Sequence, residues 1–171
     1  MPPDAASPAA LLQWCQWLSA TAFSTAIRES DWWFTVIETV HVLATTLMVG
    51  TIFIVDLRLV GAIFRGESAS RVVHAVLPWT WLGLGIMAAS GVLLFISEAE
   101  QAYHNVAFRI KLLLMAGAGA NALLFHATIF RSVDGWDRRM PTPAVARMAG
   151  ALSLLLWTGV IVCGRAIAYF H

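Results

Sequence analysis

Charged side chains are scarce in this chain, and their absence from long stretches is its most informative feature. They make up 12% of the 171 residues, whereas hydrophobic residues make up 59% and the mean hydropathy is +0.73. These values lie outside the usual range of soluble globular proteins. Four stretches lack normally charged side chains, apart from Glu38 in the first of them: residues 32–55, 72–97, 112–130 and 148–164. The composition therefore predicts a lipid bilayer as the partner of most of the chain.

Each of these stretches has the length of a membrane span. A helix needs roughly 17 to 25 apolar residues to cross a hydrocarbon core of ~30 Å. Because lipid offers no hydrogen-bonding partner, backbone amides must bond within their own segment, which favours helices. The sequence predicts an all-α fold, an integral membrane four-helix bundle at residues 32–171, preceded by an N-terminal interfacial segment at residues 1–31.

Other absences exclude whole classes of function. The two cysteines, Cys15 and Cys163, form no metal or redox spacing motif. A net charge of +1 provides no basic surface for nucleic acid. No set of nucleophile, base and acid is apparent, which argues against a hydrolase. The short loops between the spans leave no room for a soluble catalytic domain.

The arginines and lysines are distributed unevenly between the two sides of the predicted bundle. Seven of the eleven lie in or beside the two loops that share a side, and they are Arg58, Arg65, Arg71, Arg131, Arg138, Arg139 and Arg147. Cytoplasmic loops of membrane proteins carry such an excess. We therefore predict a bacterial inner-membrane protein with both termini in the periplasm.

The N-terminal segment has a different pattern from the spans. From Ala9 to Ile27, apolar residues recur at roughly helical spacing with polar residues between them, and Trp14 and Trp17 are of the type that favours the headgroup level. This pattern predicts an amphipathic helix that lies on the outer membrane surface. A partly buried helix that caps the bundle is the alternative.

Small residues are concentrated in the third span, at positions 116–120 and 122. Such residues let helices approach closely in lipid, where the hydrophobic drive for association is weak. The patch predicts either close packing inside the bundle or a homo-oligomer formed through Gly117 and Gly119.

Histidines at membrane depth are costly and therefore mark candidate functional sites. With the helical rise of ~1.5 Å per residue, His74 lies about 5 Å inward from Arg71, and His126 about 7–8 Å from Arg131. The two belong to consecutive antiparallel spans and share one level. Haem iron takes axial nitrogen ligands from facing side chains in a bundle, so the pair predicts a bis-histidine haem b site. The plainer alternative is a hydrogen-bonded packing role for each.

His41 is the third candidate ligand, about 15 Å inward from the opposite side. Glu38 precedes it by three residues, so both lie on one helix face and form a candidate metal site, or part of a second haem site. Arg165 lies at a depth from which it can bind a haem propionate. His104, His171 and Met87 are candidates for the second ligand of His41. A di-iron centre is not expected, because no other span carries a second Glu-x-x-His motif.

Ion pairs are the plainer interpretation of several charges. Glu38 with Lys111, or Glu38 with Arg165, would fix the register between helices. Asp56 and Arg58, at the end of the first span, predict an interfacial ion pair.

Three strings of residues carry a resemblance to a known family. They are residues 33–43 (WFTVIETVHVL), 55–59 (VDLRL) and 77–81 (LPWTW). Together they resemble a family of small, functionally uncharacterised four-span bacterial inner-membrane proteins, which implies the fold but no activity. The chain is more loosely similar to b-type cytochromes and to the membrane domains of copper-resistance proteins, an architectural likeness only.

These observations predict a membrane b-type cytochrome with one or two haems. It would transfer electrons between a quinone and a redox partner on the outer side, as an electron-transfer subunit of an oxidoreductase. The alternative is a non-redox transporter or channel subunit for copper or another small solute, with Glu38, His41 and methionines as its polar path. A structural membrane subunit without a cofactor is the third possibility.

Overall fold

A computed structural model describes residues 8–30, 32–133, 137 and 142–169, and all regular structure among them is helical. The helices are α1 (Pro8–Ser19), α2 (Ala22–Arg28), α3 (Trp33–Val60), α4 (Ala69–Ser97), α5 (Ala99–His104), α6 (Val106–Leu124) and α7 (Ala144–Ala166). A π-helical segment (Phe125–Ile129) and a 3-10 turn (Phe130–Ser132) continue α6. The all-α prediction is confirmed.

Four helices are long and apolar enough to cross a membrane: α3, α4, α6 with its π-helical segment, and α7. They contain 28, 29, 24 and 23 residues, so each helix is longer than the uncharged run that predicts it. The prediction of a four-span bundle is confirmed. The helices extend beyond the uncharged runs because intrahelical hydrogen bonding continues where the chain leaves the hydrocarbon.

The long helices pack in the order α4, α3, α7, α6, so that α3 and α7 are central. The interface between α4 and α6 is smaller than those between neighbours in this order. It includes the stacked rings of Phe95 and Phe108, whose centroids are 5.8 Å apart. Close backbone approach explains the tightest contacts. A Cβ added to Gly83 of α4 would lie 2.9 Å from the Met48 nitrogen of α3.

The small residues of α6 serve two different purposes. Gly117 faces α7, since an added Cβ would lie 3.6 Å from Leu156. Gly119 has nothing within 4 Å of such an atom, and Ala116 and Ala120 are exposed. The patch therefore packs inside the bundle at Gly117 and leaves a surface at Gly119, where the predicted homo-oligomer contact stays a prediction.

One end of the bundle, here called the terminal end, carries α1, α2 and α5. The Ser24 hydroxyl donates to the Ile96 carbonyl (2.9 Å), and Arg28 donates to the Ser97 carbonyl (3.1 Å). Trp14 and Trp17 of α1 remain exposed. The N-terminal segment is thus a cap on the bundle, as in the alternative interpretation, and it also presents aromatic side chains of the kind that favour the headgroup level.

The opposite end, here called the loop end, is fastened by two polar contacts. The buried Arg58 guanidinium donates to the Glu67 carbonyl (2.8 Å from Nε) and to the Thr142 hydroxyl (3.2 Å). In the second contact, the Asp137 carboxylate, which lies before α7, accepts hydrogen bonds from the Ala69 and Ser70 amides at the start of α4. These bonds hold the loop after α3 against the segment that enters α7.

The predicted Asp56–Arg58 ion pair is wrong. Two residues apart on a helix, the side chains point to different sides, so neighbours in sequence are not neighbours on the surface of α3. Arg58 turns to the loop, while Asp56 accepts a hydrogen bond from Ser153 of α7. Each group is instead bound to a different element.

Candidate functional site

The most organised polar group inside the bundle is the His41 imidazole, in the half next to the terminal end. His41 lies in α3 and its ring contacts α4. Its Nδ1 is 3.1 Å from the Met87 carbonyl oxygen and 3.0 Å from the Ser90 hydroxyl oxygen. An added Cβ on Gly91 would lie 3.1 Å from Cε1 of the ring. The glycine therefore makes room for the imidazole against α4.

These hydrogen bonds define which ring nitrogen carries the proton. The Met87 carbonyl can only accept, so Nδ1 must donate to it. The Ser90 hydroxyl donates to the Ile86 carbonyl (2.6 Å), which leaves its oxygen as an acceptor for the same Nδ1 proton. In the neutral ring Nε2 then carries the lone pair. No hydrogen bond to a described residue occupies Nε2.

Two charged side chains lie within electrostatic range of His41: Lys111 of α6 and Glu38 of α3. Lys111 is partly buried and lies beside α7, with Nζ 3.7 Å from where a Gly164 Cβ would be. Glu38 is exposed on the helix surface. A single amine therefore approaches the imidazole from the α6 side of the bundle.

The predicted ion pairs of Glu38 are not formed. Among the described residues the salt bridge is that of Arg71 with Glu67. Arg165 is exposed and lies over the Tyr169 ring, 5.8 Å from its centroid. The structure thus brings His41 together with Lys111 and Glu38, and it does not place Arg165 in the same group.

The structure does not bring His74 and His126 together within one chain. Both side chains are exposed, and they belong to α4 and to the π-helical segment after α6, which are not packing partners. His126 packs edge-on against Phe125 and Phe130, with centroids 5.6 and 5.3 Å away. The equal depth predicted for the two histidines is not accompanied by facing side chains.

The candidate second ligands of His41 have separate positions. His104 is exposed at the terminal end beside Tyr103. The Met87 side chain is buried in the core cluster with Ala44 and Met48, while its carbonyl bonds His41. His171 lies outside the described residues. Neither His104 nor the Met87 side chain is hydrogen-bonded to the His41 ring.

Sequence reasoning missed Ser90 and Gly91 as parts of the site. The signal was available, because a serine followed by a glycine interrupts the apolar run of the second span at the depth of Met87 and His41. Lys111 was considered only as a counter-ion, since its distance from His41 depends on how α6 packs.

The described residues offer a single anchored nitrogen rather than a cluster of ligands. No group of three or more histidine, cysteine, aspartate or glutamate side chains among them could hold a metal ion. A histidine that donates through Nδ1 to a carbonyl, with Nε2 left over, is the arrangement of metal-ligating histidines in general. The site can therefore supply one axial ligand.

Comparison with known proteins gives the family. Residues 17–170 match a family of unknown function, DUF6644. The chain belongs to this family. The match extends from the N-terminal cap through all four spans. No curated protein and no solved structure matches the chain.

Proposed function

We propose that this protein binds haem b in the membrane and transfers electrons, with Nε2 of His41 as an axial ligand. The observation that supports this most directly is the anchored Nδ1, bound to the Met87 carbonyl and Ser90 hydroxyl. Such a bond fixes the ring orientation and the tautomer and raises the basicity of the other nitrogen. A histidine used only for packing also needs a hydrogen bond to its buried N–H, but it gains nothing from a second nitrogen left without a partner.

The number of ligands favours a porphyrin over a bare metal ion. A mononuclear site needs three or four protein ligands, and no cluster of described histidine, cysteine, aspartate or glutamate side chains supplies them. A porphyrin brings four nitrogen atoms of its own, so one or two side chains suffice. Helical bundles carry such cofactors on side chains that project inward.

The charge near His41 fits the propionates of a haem. Lys111 is a partly buried cation without a salt bridge to a described residue, and it approaches from α6 while the imidazole lies against α4. A carboxylate bound near Lys111 would offset the cost of its burial. When bound, haem would supply one-electron chemistry, while the protein's own groups hold and orient it.

The location of His41 suggests the direction of transfer. The site lies in the half of the bundle next to the terminal end, which we assign to the periplasmic side of a bacterial inner membrane from the arginine distribution. A quinone is the expected redox partner within the bilayer, and an outer-side protein is the expected second partner. The chain would then serve as an electron-transfer subunit of an oxidoreductase.

A transporter is less well supported. Beyond His41, towards the loop end, the interior is filled by a cluster of Ala44, Met48, Val49 and Met87, against which Met115 and Trp157 pack. A hydrated solute would have to cross this apolar layer, and only a soft ion such as copper(I) could bind the thioethers of its methionines. A fixed cofactor site needs no such path.

The decisive experiment is ultraviolet–visible absorption spectroscopy on the full chain, expressed with ample haem and purified in detergent. We expect a Soret band that shifts on reduction. His41→Ala should abolish it or convert it to the spectrum of loosely bound haem. His104→Ala is the matched control, because that histidine is exposed at the same end.

Two further results would change the proposal. If His41→Ala leaves the spectrum intact while His74→Ala and His126→Ala each remove it, the haem lies at the other level, where two chains would have to supply the pair. A wild-type protein that stays colourless with ample haem would refute the cytochrome proposal. Ser90→Ala should alter the spectrum without removing it, because the Met87 carbonyl still accepts from Nδ1.

A further inference from the structure

A second polar group lies in the opposite half of the bundle. Asp56, one turn before the end of α3, is 5% exposed. One of its carboxyl oxygens accepts a hydrogen bond from Ser153 of α7, which is itself buried. The other oxygen, Oδ2, is buried and has no hydrogen-bond partner. One of the two oxygens of a buried acid is therefore without a hydrogen bond.

The contact between α3 and α7 at this point is tight. An added Cβ on Gly150 would lie 3.0 Å from the Asp56 carbonyl oxygen and 3.1 Å from Cβ of Leu59. The glycine lets the two backbones approach, and this approach shields the carboxyl group. The carboxyl group is consequently shielded from bulk water while α3 and α7 are in this contact.

No charged group among the described residues compensates the carboxyl. Its ionisation is governed by burial and by the hydrogen bond from the Ser153 hydroxyl. Arg58, on the same helix, is occupied by the Glu67 carbonyl and Thr142. Among the described residues in this half of the bundle, the other charged or titratable groups on the packed helices are exposed at the surface, namely Arg71 and His74 on α4, His126 after α6, and Arg147 on α7.

An ionised carboxylate in such a place is unfavourable, because it has lost its hydration and gained no counter-ion. Binding a proton removes the charge and forms one O–H bond, with water or hydronium as the proton donor. It also turns Oδ2 from an acceptor without a partner into a donor. The Ser153 hydroxyl satisfies the remaining oxygen in both states.

We propose that Asp56 is a proton-binding site, which holds its proton as a neutral carboxylic acid at neutral pH. Buried acids inside membrane bundles are the groups from which proton relays are built. The proton is exchanged with the aqueous phase at the loop end, where α3 terminates, and its release requires the α3–α7 contact to loosen. This site is separate from His41 and does not depend on haem.

Infrared difference spectroscopy tests this inference on the full chain in lipid nanodiscs. The wild-type spectrum minus that of Asp56→Asn should contain the carbonyl stretch of a protonated carboxylic acid at neutral pH, and the band should shift in D2O. Ser153→Ala should move the band to higher frequency, because the acid carbonyl loses a hydrogen bond. Raising the pH should replace the band by carboxylate bands.

The matched control is Glu67→Gln, which removes an exposed carboxylate paired with Arg71. This variant should leave the acid band unchanged. A wild-type-minus-Asp56→Asn spectrum with carboxylate bands alone would overturn the inference. If Asp56→Asn does not fold, a wild-type acid band that is absent, or that does not respond to Ser153→Ala, would overturn it as well. A colourless protein with this band would refute the haem proposal alone.

Discussion

The two halves of the bundle use their buried polar groups in different ways. Near the terminal end, His41 is anchored through one nitrogen and keeps the other unoccupied, and Lys111 is left without a salt bridge to a described residue. Near the loop end, Arg58 donates to a carbonyl and a hydroxyl that belong to two different loops. A polar group with a buried atom that has no partner can accept a ligand, whereas one whose hydrogen bonds reach two loops holds the fold together.

Asp56 is the exception that makes this contrast useful. It lies in the loop-end half, two residues before Arg58, and yet one of its oxygens has no partner. By the same criterion it belongs with His41 rather than with Arg58. The unused capacity of an acid can be filled by the smallest ligand, a proton, which needs no cavity.

The sharpest test of the comparison is which half faces outward. In a cysteine-free background, a cysteine at Gln101 should react with an impermeant reagent in intact cells, and a cysteine at Glu67 should not, because positive loops stay in the cytoplasm. Both positions are exposed. Permeabilised cells, in which both should react, are the control. Reversed labelling would place His41 on the cytoplasmic side.

Arg58 should account for the largest loss of stability. Arg58→Ala leaves the Glu67 carbonyl and Thr142 without their buried donor and should lower the free energy of unfolding by roughly 2–4 kcal/mol. Arg71→Ala removes an exposed ion pair in the same loop region and should cost less than about 1 kcal/mol. Unfolding in mixed micelles measures both. Equal effects would contradict the idea that Arg58 fastens the loop end.

Glycine substitutions separate packing inside the chain from association between chains. Gly150→Leu should destabilise the fold by about 1–3 kcal/mol, because its Cβ meets the backbone of α3, which cannot move aside. Gly119→Leu has open space and should leave the unfolding free energy of a single chain nearly unchanged. Native mass spectrometry shows whether Gly119→Leu weakens a homo-oligomer. A monomeric wild type would refute association through this surface.

The smallest effect concerns Cys15 in the cap. Burial, and then the charge of Glu100, raise the pKa of its thiol, so that less thiolate is present at neutral pH. In a Cys163→Ser background, Glu100→Gln should speed alkylation roughly twofold, as expected for a surface charge interaction of ~0.5 kcal/mol. Gln101→Glu is the charge-adding counterpart and should not speed it. A slower reaction in Glu100→Gln would contradict the assignment of the charge effect.

Several features of the fold could be read from the sequence because they depend on local physics. Uncharged runs of membrane length must be helical, so the four spans were predictable to within a few residues of Trp33–Val60 and its counterparts. The depth of a residue along a span also follows from the helical rise. His41, a histidine well inside a span, was therefore identifiable as a candidate.

Contacts between elements were not predictable in the same way. The cap on the bundle depends on Ser24 and Arg28 reaching the last carbonyls of α4, which sequence spacing does not reveal. The predicted Asp56–Arg58 pair is wrong because residues two apart on a helix lie on different sides of its surface. Ser153, which donates to Asp56, is 97 positions away in the sequence. Thr142, one of the two partners of Arg58, is 84 positions away.

Composition and the constant rise of a helix are enough to give the number of apolar spans and to predict the depth of each ionisable group. Tertiary structure alone decided which side chains meet. Rotation of a helix about its axis and the order α4, α3, α7, α6 set whether a side chain faces a neighbour or lipid, and both follow from packing over the whole bundle. His74 and His126 share a depth but not a contact, whereas His41 gains its partners from α4.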